Sequence, residues 1–133
     1  MLSPGRETDR EATAVLADYY CAFSTLDVQA VLPYFHEPAL LVSPHAVFAA
    51  PTGAELATAL APVIESLRAR EFGRSELNLR DVQVLSATTT LVRGVALRYK
   101  LDGRELERSG VTYILQKAET AWKIAVLILH DPE

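Results

Sequence analysis

Cysteine is almost absent. Cys21 stands alone among 133 residues, so no intrachain disulfide can form and the fold must rest on its core. That usage fits a reducing compartment. Runs of Lys or Arg are missing as well, and the formal charge is −4. Phosphate backbones are held by clustered basic side chains, so a nucleic-acid partner is not expected. The apolar run near the end, Ile124 to Leu129, holds six residues, where a bilayer span needs ~20. The opening MLSPGRETDREA is polar and lacks the apolar centre of a secretory signal. These absences predict a cytoplasmic protein with no membrane partner. His36, His45 and His130 have no short ligand spacing, which predicts no metal site. Neither a G-x-S-x-G turn nor a Rossmann or P-loop glycine pattern occurs. Nucleophilic catalysis and a nucleotide fold are therefore unsupported, and no cofactor is expected.

What is present suffices for a core, since 50% of the residues are hydrophobic. The length suits one domain over residues 1–133, with a structured core from about 8 to about 131. Helical signals fill the first half and strand signals the second, the pattern of an α+β fold. Thr8 and Glu11 have capping-box spacing and predict a helix start. Ala12, Val15, Leu16, Tyr19, Ala22, Phe23 and Leu26 then form one apolar stripe. Asp27 should cap a short helix running to Leu32, which Pro33 disrupts. Glu37 to Ser43 reads as a strand, with Ala46 to Ala49 pairing back on it. Thr52 and Glu55 open a third helix with the stripe Leu56, Leu60, Val63, Ile64 and Leu67, kinked at Pro62 and stopped at Gly73. Strands follow at about 76–85, 89–101, 105–117 and 121–130. Asp102-Gly103 is a hairpin signal between the second and third of these, and Ala118 to Thr120 a weaker turn.

Strict alternation along the last strand puts Trp122, Ile124, Val126 and Ile128 on one face, and Ala125, Leu127 and Leu129 on the other. Both faces are apolar, so both should be covered. Helices can cover one face, and a second copy of the chain is the simplest cover for the other. A homodimer through the outer sheet face is predicted, with single chains unstable or aggregating.

The order of elements, the stretch LDVQAVLPYFHEPALLVSP and the tail GVTYILQKAETAWKIAVLILHD resemble the nuclear transport factor 2-like superfamily, and within it the SnoaL-like group of bacterial proteins. Trp122-Lys123-Ile124 is similar to that family's aromatic-basic-Ile motif at the start of the last strand. The resemblance runs from about Thr8 to Asp131. It implies a cystatin-like cone, three N-terminal helices packed in a curved, mostly antiparallel sheet. It implies no single activity, because the superfamily includes isomerases, cyclases, dehydratases and transport factors. Ketosteroid isomerase, one member, uses a carboxylate base and an oxyanion hole built from a tyrosine and a protonated aspartic acid. The resemblance places Tyr19 at the oxyanion tyrosine, Ser43 at the base and Ser109 at the aspartic acid. A serine hydroxyl cannot shuttle protons near neutral pH, so that isomerisation is not expected.

The same register predicts a cone interior lined by Arg93, Val95, Leu97 and Tyr99, by Ser109, Val111 and Tyr113, and by Leu127, Leu129 and Asp131. Tyr19, Leu41 and Ser43 should close it. A mostly apolar lining with a few polar groups suits a small-molecule site. Tyr19 is a candidate catalytic group, donating to a developing oxyanion while Ser43 and Ser109 orient substrate or water. The competing reading is a core tyrosine bonded to a carbonyl or water. Asp131 is the second candidate, as a base whose pKa burial would raise. Arg93 on an apolar face needs a carboxylate, from Asp131 or Glu107, or else an acidic ligand.

His36 and Glu37 point to opposite faces of a strand, which leaves His36 tying a turn. His45 reads as a loop histidine near the mouth, and His130 as an interface or sheet-end residue. Arg68, Arg70 and Arg74 read as a solvated helix end. The expectation is a homodimer binding a small, mostly apolar or weakly acidic ligand in its cone. Any catalysis would be that of a cofactor-independent isomerase, cyclase or lyase. The other reading is a non-catalytic dimerisation or docking module with a closed pocket. An open cavity reaching Tyr19 separates the two.

Overall fold

The computed structural model describes residues 4–132. The first helix, α1 (Pro4–Phe23), begins ahead of Thr8, which lies inside it. Proline is favoured at a helix start because its missing N–H would be unpaired there anyway, so the Thr8–Glu11 spacing marks no cap. Ala12, Leu16, Tyr19, Tyr20 and Phe23 form the buried face of α1, and Cys21 is exposed. Asp27 caps α2 (Val28–Val31) as expected, accepting the Gln29 N–H at 3.0 Å. Pro33 is absorbed into a 3-10 turn, Leu32–Tyr34. Near the start of a turn its lack of a donor costs nothing.

The strands β1 (Phe35–Val42) and β2 (Val47–Ala50) form the expected hairpin. Next comes α3 (Gly53–Ala69), with Thr52 at its N-cap position but no hydroxyl cap. The Gly53 N–H donates instead to Glu37 Oε2 from β1, a carboxylate where the helix dipole favours one. The helix runs through Pro62 and stops before Gly73. Glu71, with φ 62°, takes the left-handed conformation usually left to glycine at a helix end.

The remaining strands are β3 (Phe72–Ser86), β4 (Thr89–Lys100), β5 (Glu105–Ala118) and β6 (Ala121–His130). Asp102-Gly103 closes the β4–β5 hairpin, with Gly103 at φ 90° and the Lys100 N–H donating to Arg104 O at 2.8 Å. All six strands join one sheet in the order β2-β1-β6-β5-β4-β3, and only the β1–β6 pair is parallel. The fold is thus α+β, three helices against a mostly antiparallel sheet.

Helix α3 touches β1 and β2 at one edge of the sheet and β3 at the other. Six flat strands spaced ~4.8 Å apart are much wider than a helix ~10 Å across. The sheet must therefore curl around α3. Irregular pairing between Leu79 and Asp81 helps to bend it. Opposite Leu79 sits Gly94, where an added Cβ would lie 2.6 Å from Asn78 O. At this point β3 lies so near β4 that a residue without a side chain is needed.

One end of the curl is filled. Leu16, Val92, Leu115 and Ile124 are all 0% exposed there, and each such side chain contributes about 1.5–3 kcal/mol by burial. Trp122 packs in the same core and donates its Nε1–H to Glu11 at 3.1 Å. Strand β6 departs from strict alternation, because Leu115 pairs with Ile124 while the adjacent Ile114 pairs with Val126. The extra residue reverses the faces beyond it. Leu127 and Leu129 therefore share the inner face with Trp122 and Ile124, and Val126 and Ile128 turn outward.

Candidate functional site

Beyond the filled end the side chains become smaller. Ala46, Ala59, Ser75 and Ala96 stand where larger residues would complete the core, and they leave a cavity of about 480 Å³. Helix α1 supplies Tyr19, Tyr20 and Phe23, and α3 supplies Leu60 and Val63. Leu41 and Ser43, Val111 and Tyr113, and Leu127 and Leu129 line it from the β1, β5 and β6 regions. The structure thus brings seven of the expected residues together around one hollow: Tyr19, Leu41, Ser43, Val111, Tyr113, Leu127 and Leu129.

The expectation for β4 is reversed. Val111 lies opposite Gly94, and Tyr113 opposite Val92, so the inner face carries Val92, Gly94, Ala96 and Arg98. Arg93, Val95, Leu97 and Tyr99 are on the outer face. Both faces of β4 hold apolar residues, so alternation does not fix its parity, and a slip of one residue exchanges the faces. The signal lay in the Asp102-Gly103 turn, since counting outward from it pairs Arg98 with Glu107. Arg93 Nε is 3.9 Å from Asp81 Oδ2 on that outer face. Tyr99 carries the Arg74 guanidinium 4.2 Å from its ring centroid.

Ser109 faces inward opposite Ala96 but is not among the residues lining the cavity. Asp131 lies exposed just past β6 and outside the cavity, so it is not a buried base. His36 ties its turn through Nδ1 to Pro38 O at 2.9 Å, and His45 is exposed in the β1–β2 loop. His130 bonds Thr112 Oγ1 through Nε2 at 2.9 Å on the outer face. The arginines at and after the end of α3, Arg68, Arg70 and Arg74, are tied rather than simply solvated. Arg68 donates to Leu26 O at 3.0 Å, Arg70 pairs with Glu107, and Arg74 pairs with Glu76.

The polar centre of the cavity is a tyrosine cluster. The Tyr19 ring stands edge-on to Tyr20 and Phe35, with centroids 5.5 Å away in each case, and to Tyr113 at 6.3 Å. The hydroxyls of Tyr20 and Tyr113 are 2.7 Å apart. That bond uses one of their two phenolic protons and leaves the other to be donated. Among the described residues the Tyr19 hydroxyl has no hydrogen-bond partner, and the Tyr19 side chain lines the cavity. It is not bonded to a carbonyl.

Burial raises all three phenols above the ordinary tyrosine range. It is the main cause that raises Tyr19, with Tyr20 adding to the rise and the Arg98 charge opposing it. Tyr20 is pushed up to about 12 by burial, against its hydrogen bond with Tyr113 and the Arg98 charge. Burial also holds Tyr113 well above the ordinary range, helped by both neighbouring tyrosines. Near neutral pH the cluster therefore offers O–H donors and no phenolate.

Arg98 completes the lining. Its guanidinium lies 5.2 Å from the Phe23 ring centroid and bonds Glu107 Oε1 at 3.2 Å. The described lining contains no Asp, Glu, His, Lys or Cys. No residue there can take and return a proton near neutral pH. The arrangement can donate hydrogen bonds to a carbonyl or oxyanion. No group of three or more His, Cys, Asp or Glu among the described residues is placed to hold a metal ion. No helix among them is long and apolar enough to cross a membrane.

Comparison with known proteins agrees with this architecture. An NTF-2-like protein of unknown function from Shewanella oneidensis MR-1 is similar at 19% identity and a TM-score of 0.75, over 93% of this chain and 99% of that one. A ketosteroid isomerase-like protein from Erwinia carotovora atroseptica SCRI1043 is similar at 19% identity and a TM-score of 0.65, over 91% and 93%. A protein with a cystatin-like fold from Nostoc punctiforme PCC 73102 is similar at 11% identity and a TM-score of 0.69, over 92% and 89%. At such identities the likeness establishes the fold and leaves the chemistry to the site. No curated protein matches the chain in sequence. Residues 10–132 match the family model described as NTF2-like protein (DUF6841), and the chain belongs to that family.

Proposed function

We propose that this protein binds a small, mostly apolar metabolite in the cone, with Tyr19 donating a hydrogen bond to an oxygen of the ligand. The observation that carries the reading is an apolar hollow of about 480 Å³ lined by Tyr19, whose hydroxyl has no hydrogen-bond partner among the described residues. Hollows of this size with few polar groups are where small molecules bind. The left-over proton of the Tyr20–Tyr113 pair supplies a second donor nearby. A closed docking module would need these side chains to meet and fill the space. Catalysis in such a site is confined to steps that polarise a carbonyl without a protein base, as in a cofactor-independent cyclase, isomerase or lyase.

A thermal-shift comparison tests the reading. Aryl ketones such as 4-phenylacetophenone should raise the melting temperature of the wild type. Tyr19→Phe should weaken their binding about three- to tenfold, the worth of one neutral hydrogen bond. Leu127→Trp, which fills the cavity, should remove the shift. If Leu127→Trp responds as the wild type does, the ligand is not in the cone.

The outer face supports a second part of the reading, that two copies pair through the sheet. Leu97, Ile114, Val126 and Ile128 lie half-buried on it, around the buried Val95. Charges of both signs accompany them, as in the Arg93–Asp81 and Arg74–Glu76 pairs. A face carrying both signs can complement itself across a two-fold axis. Light scattering should give a dimer mass for the wild type and a monomer mass for Ile128→Glu. A monomeric wild type would refute the pairing.

A further inference from the structure

Two guanidiniums converge on one carboxylate oxygen beside α3. Glu107 Oε1 accepts from Arg98 Nη1 at 3.2 Å and from Arg70 Nη1 at 3.3 Å. Within this trio one positive charge is left uncompensated. Arg98 is also a partition. It lines the cavity on one side, and on the other a surface groove shared with Arg70 and Glu107. Its side chain is 23% exposed, against 43% for Arg70 and 34% for Glu107. It is the charged side chain of the described lining, in a wall otherwise made of apolar and phenolic side chains with Ser43 and Ser75.

A guanidinium has five N–H donors, and the bond to Glu107 uses one of them. A cation placed at an apolar wall is costly without an anion. Glu107 meets that need weakly, through a single oxygen at a long distance and from a partly wet position. A planar carboxylate arriving from the cavity side could engage two N–H groups at once.

We propose that the ligand of the cone is an amphipathic carboxylate, with its apolar body in the hollow and its carboxylate on Arg98, where Glu107 serves as the stand-in anion. The proposal rests on the cone being a binding site and names the class of molecule it takes. Arg98 selects the acid, and the phenols hold any second oxygen on the body. Glu107 remains paired with Arg70 when it yields Arg98.

Calorimetry with two probes of one shape tests it. 4-Phenylbenzoate carries the charge at neutral pH, and 4-phenylbenzamide does not. The wild type should bind the benzoate about tenfold more tightly than the amide, the scale of one charge-assisted hydrogen-bonded contact. Arg98→Met should bring that ratio to about one, with circular dichroism verifying the fold. Glu107→Gln should raise it about threefold by freeing Arg98. Should Arg98→Met fail to fold, the Glu107→Gln ratio reads the same contact. Equal binding of acid and amide to the wild type overturns the proposal and leaves the cone reading standing. An acid preference that survives Arg98→Met, or is unmoved by Glu107→Gln, also overturns it. If neither probe binds, or both bind Leu127→Trp as tightly as the wild type, the cone reading fails together with the carboxylate.

Discussion

Alkaline pH should unfold this protein through its tyrosine cluster. Burial holds the Tyr20 phenol up to about 12 in the folded chain, whereas an unfolded tyrosine ionises near ~10. Below ~10 both states keep the proton, and the stability is at its full value. From ~10 upward the unfolded chain loses the proton while the folded chain retains it, so stability falls with rising pH until the folded phenol ionises as well. Across about two pH units this removes about 3 kcal/mol for one phenol. Tyr19 and Tyr113 are raised by the same cause and add losses of the same sign. The Tyr20 loss alone is a large share of the stability of an ordinary domain, about 5–15 kcal/mol.

Two assays together read this out. Urea unfolding is followed by the fluorescence of Trp122, the single tryptophan, at a series of pH values from about 8 to about 12. Phenolate absorbance is recorded on the same samples. Absorbance from the buried phenols should appear together with unfolding and not before it. Tyr20→Phe should lose about 3 kcal/mol of the pH-dependent fall. Full ionisation of all tyrosines near ~10 with native fluorescence intact would refute the reasoning, because the three phenols would then be in contact with water.

Two packing predictions follow from the fold. Leu115→Ala, at a 0% exposed position in the filled end, should cost about 2–5 kcal/mol in urea unfolding. Gly94→Ala should cost about 1–3 kcal/mol, because its Cβ would meet the Asn78 carbonyl at 2.6 Å where backbone cannot give way. A neutral Gly94→Ala would mean that β3 does not lie so close to β4.

The fold was legible because its signals are redundant. The stripe from Ala12 to Phe23, the Asp27 cap and the Asp102-Gly103 turn each agree with the topology that the resemblance implies. Exact helix ends were less legible, since Thr8 and Thr52 have capping-box spacing yet Thr8 lies inside α1 and Thr52 makes no hydroxyl cap. The cap at α3 comes from Glu37, distant in sequence, and local spacing cannot reveal it. Half of the site was legible for the same reason. Tyr19, Val111 and Tyr113 lie on elements whose inward face is set by one apolar stripe or one turn register. On β4 the apolar residues fall on both faces, so Arg93 was placed inside where Arg98 belongs. On β6 the outcome for Leu127 and Leu129 agrees with expectation, but Trp122 and Ile124 join them only through a bulge that alternation does not foretell. Tyr20 escaped notice because it borders the helical stripe, where a 3.6-residue period leaves the assignment open.

The central claim is that the Tyr19 hydroxyl and the Tyr20–Tyr113 pair donate hydrogen bonds into an occupied cone. Infrared difference spectroscopy of carbonyl-labelled 4-phenylacetophenone tests it most directly, since a hydrogen-bonded C=O stretch moves to lower frequency. In the wild type the bound carbonyl should absorb below its position in an aprotic solvent. In Tyr19→Phe it should return part of the way. A bound carbonyl that absorbs as it does in hydrocarbon, unchanged by Tyr19→Phe, would contradict the account.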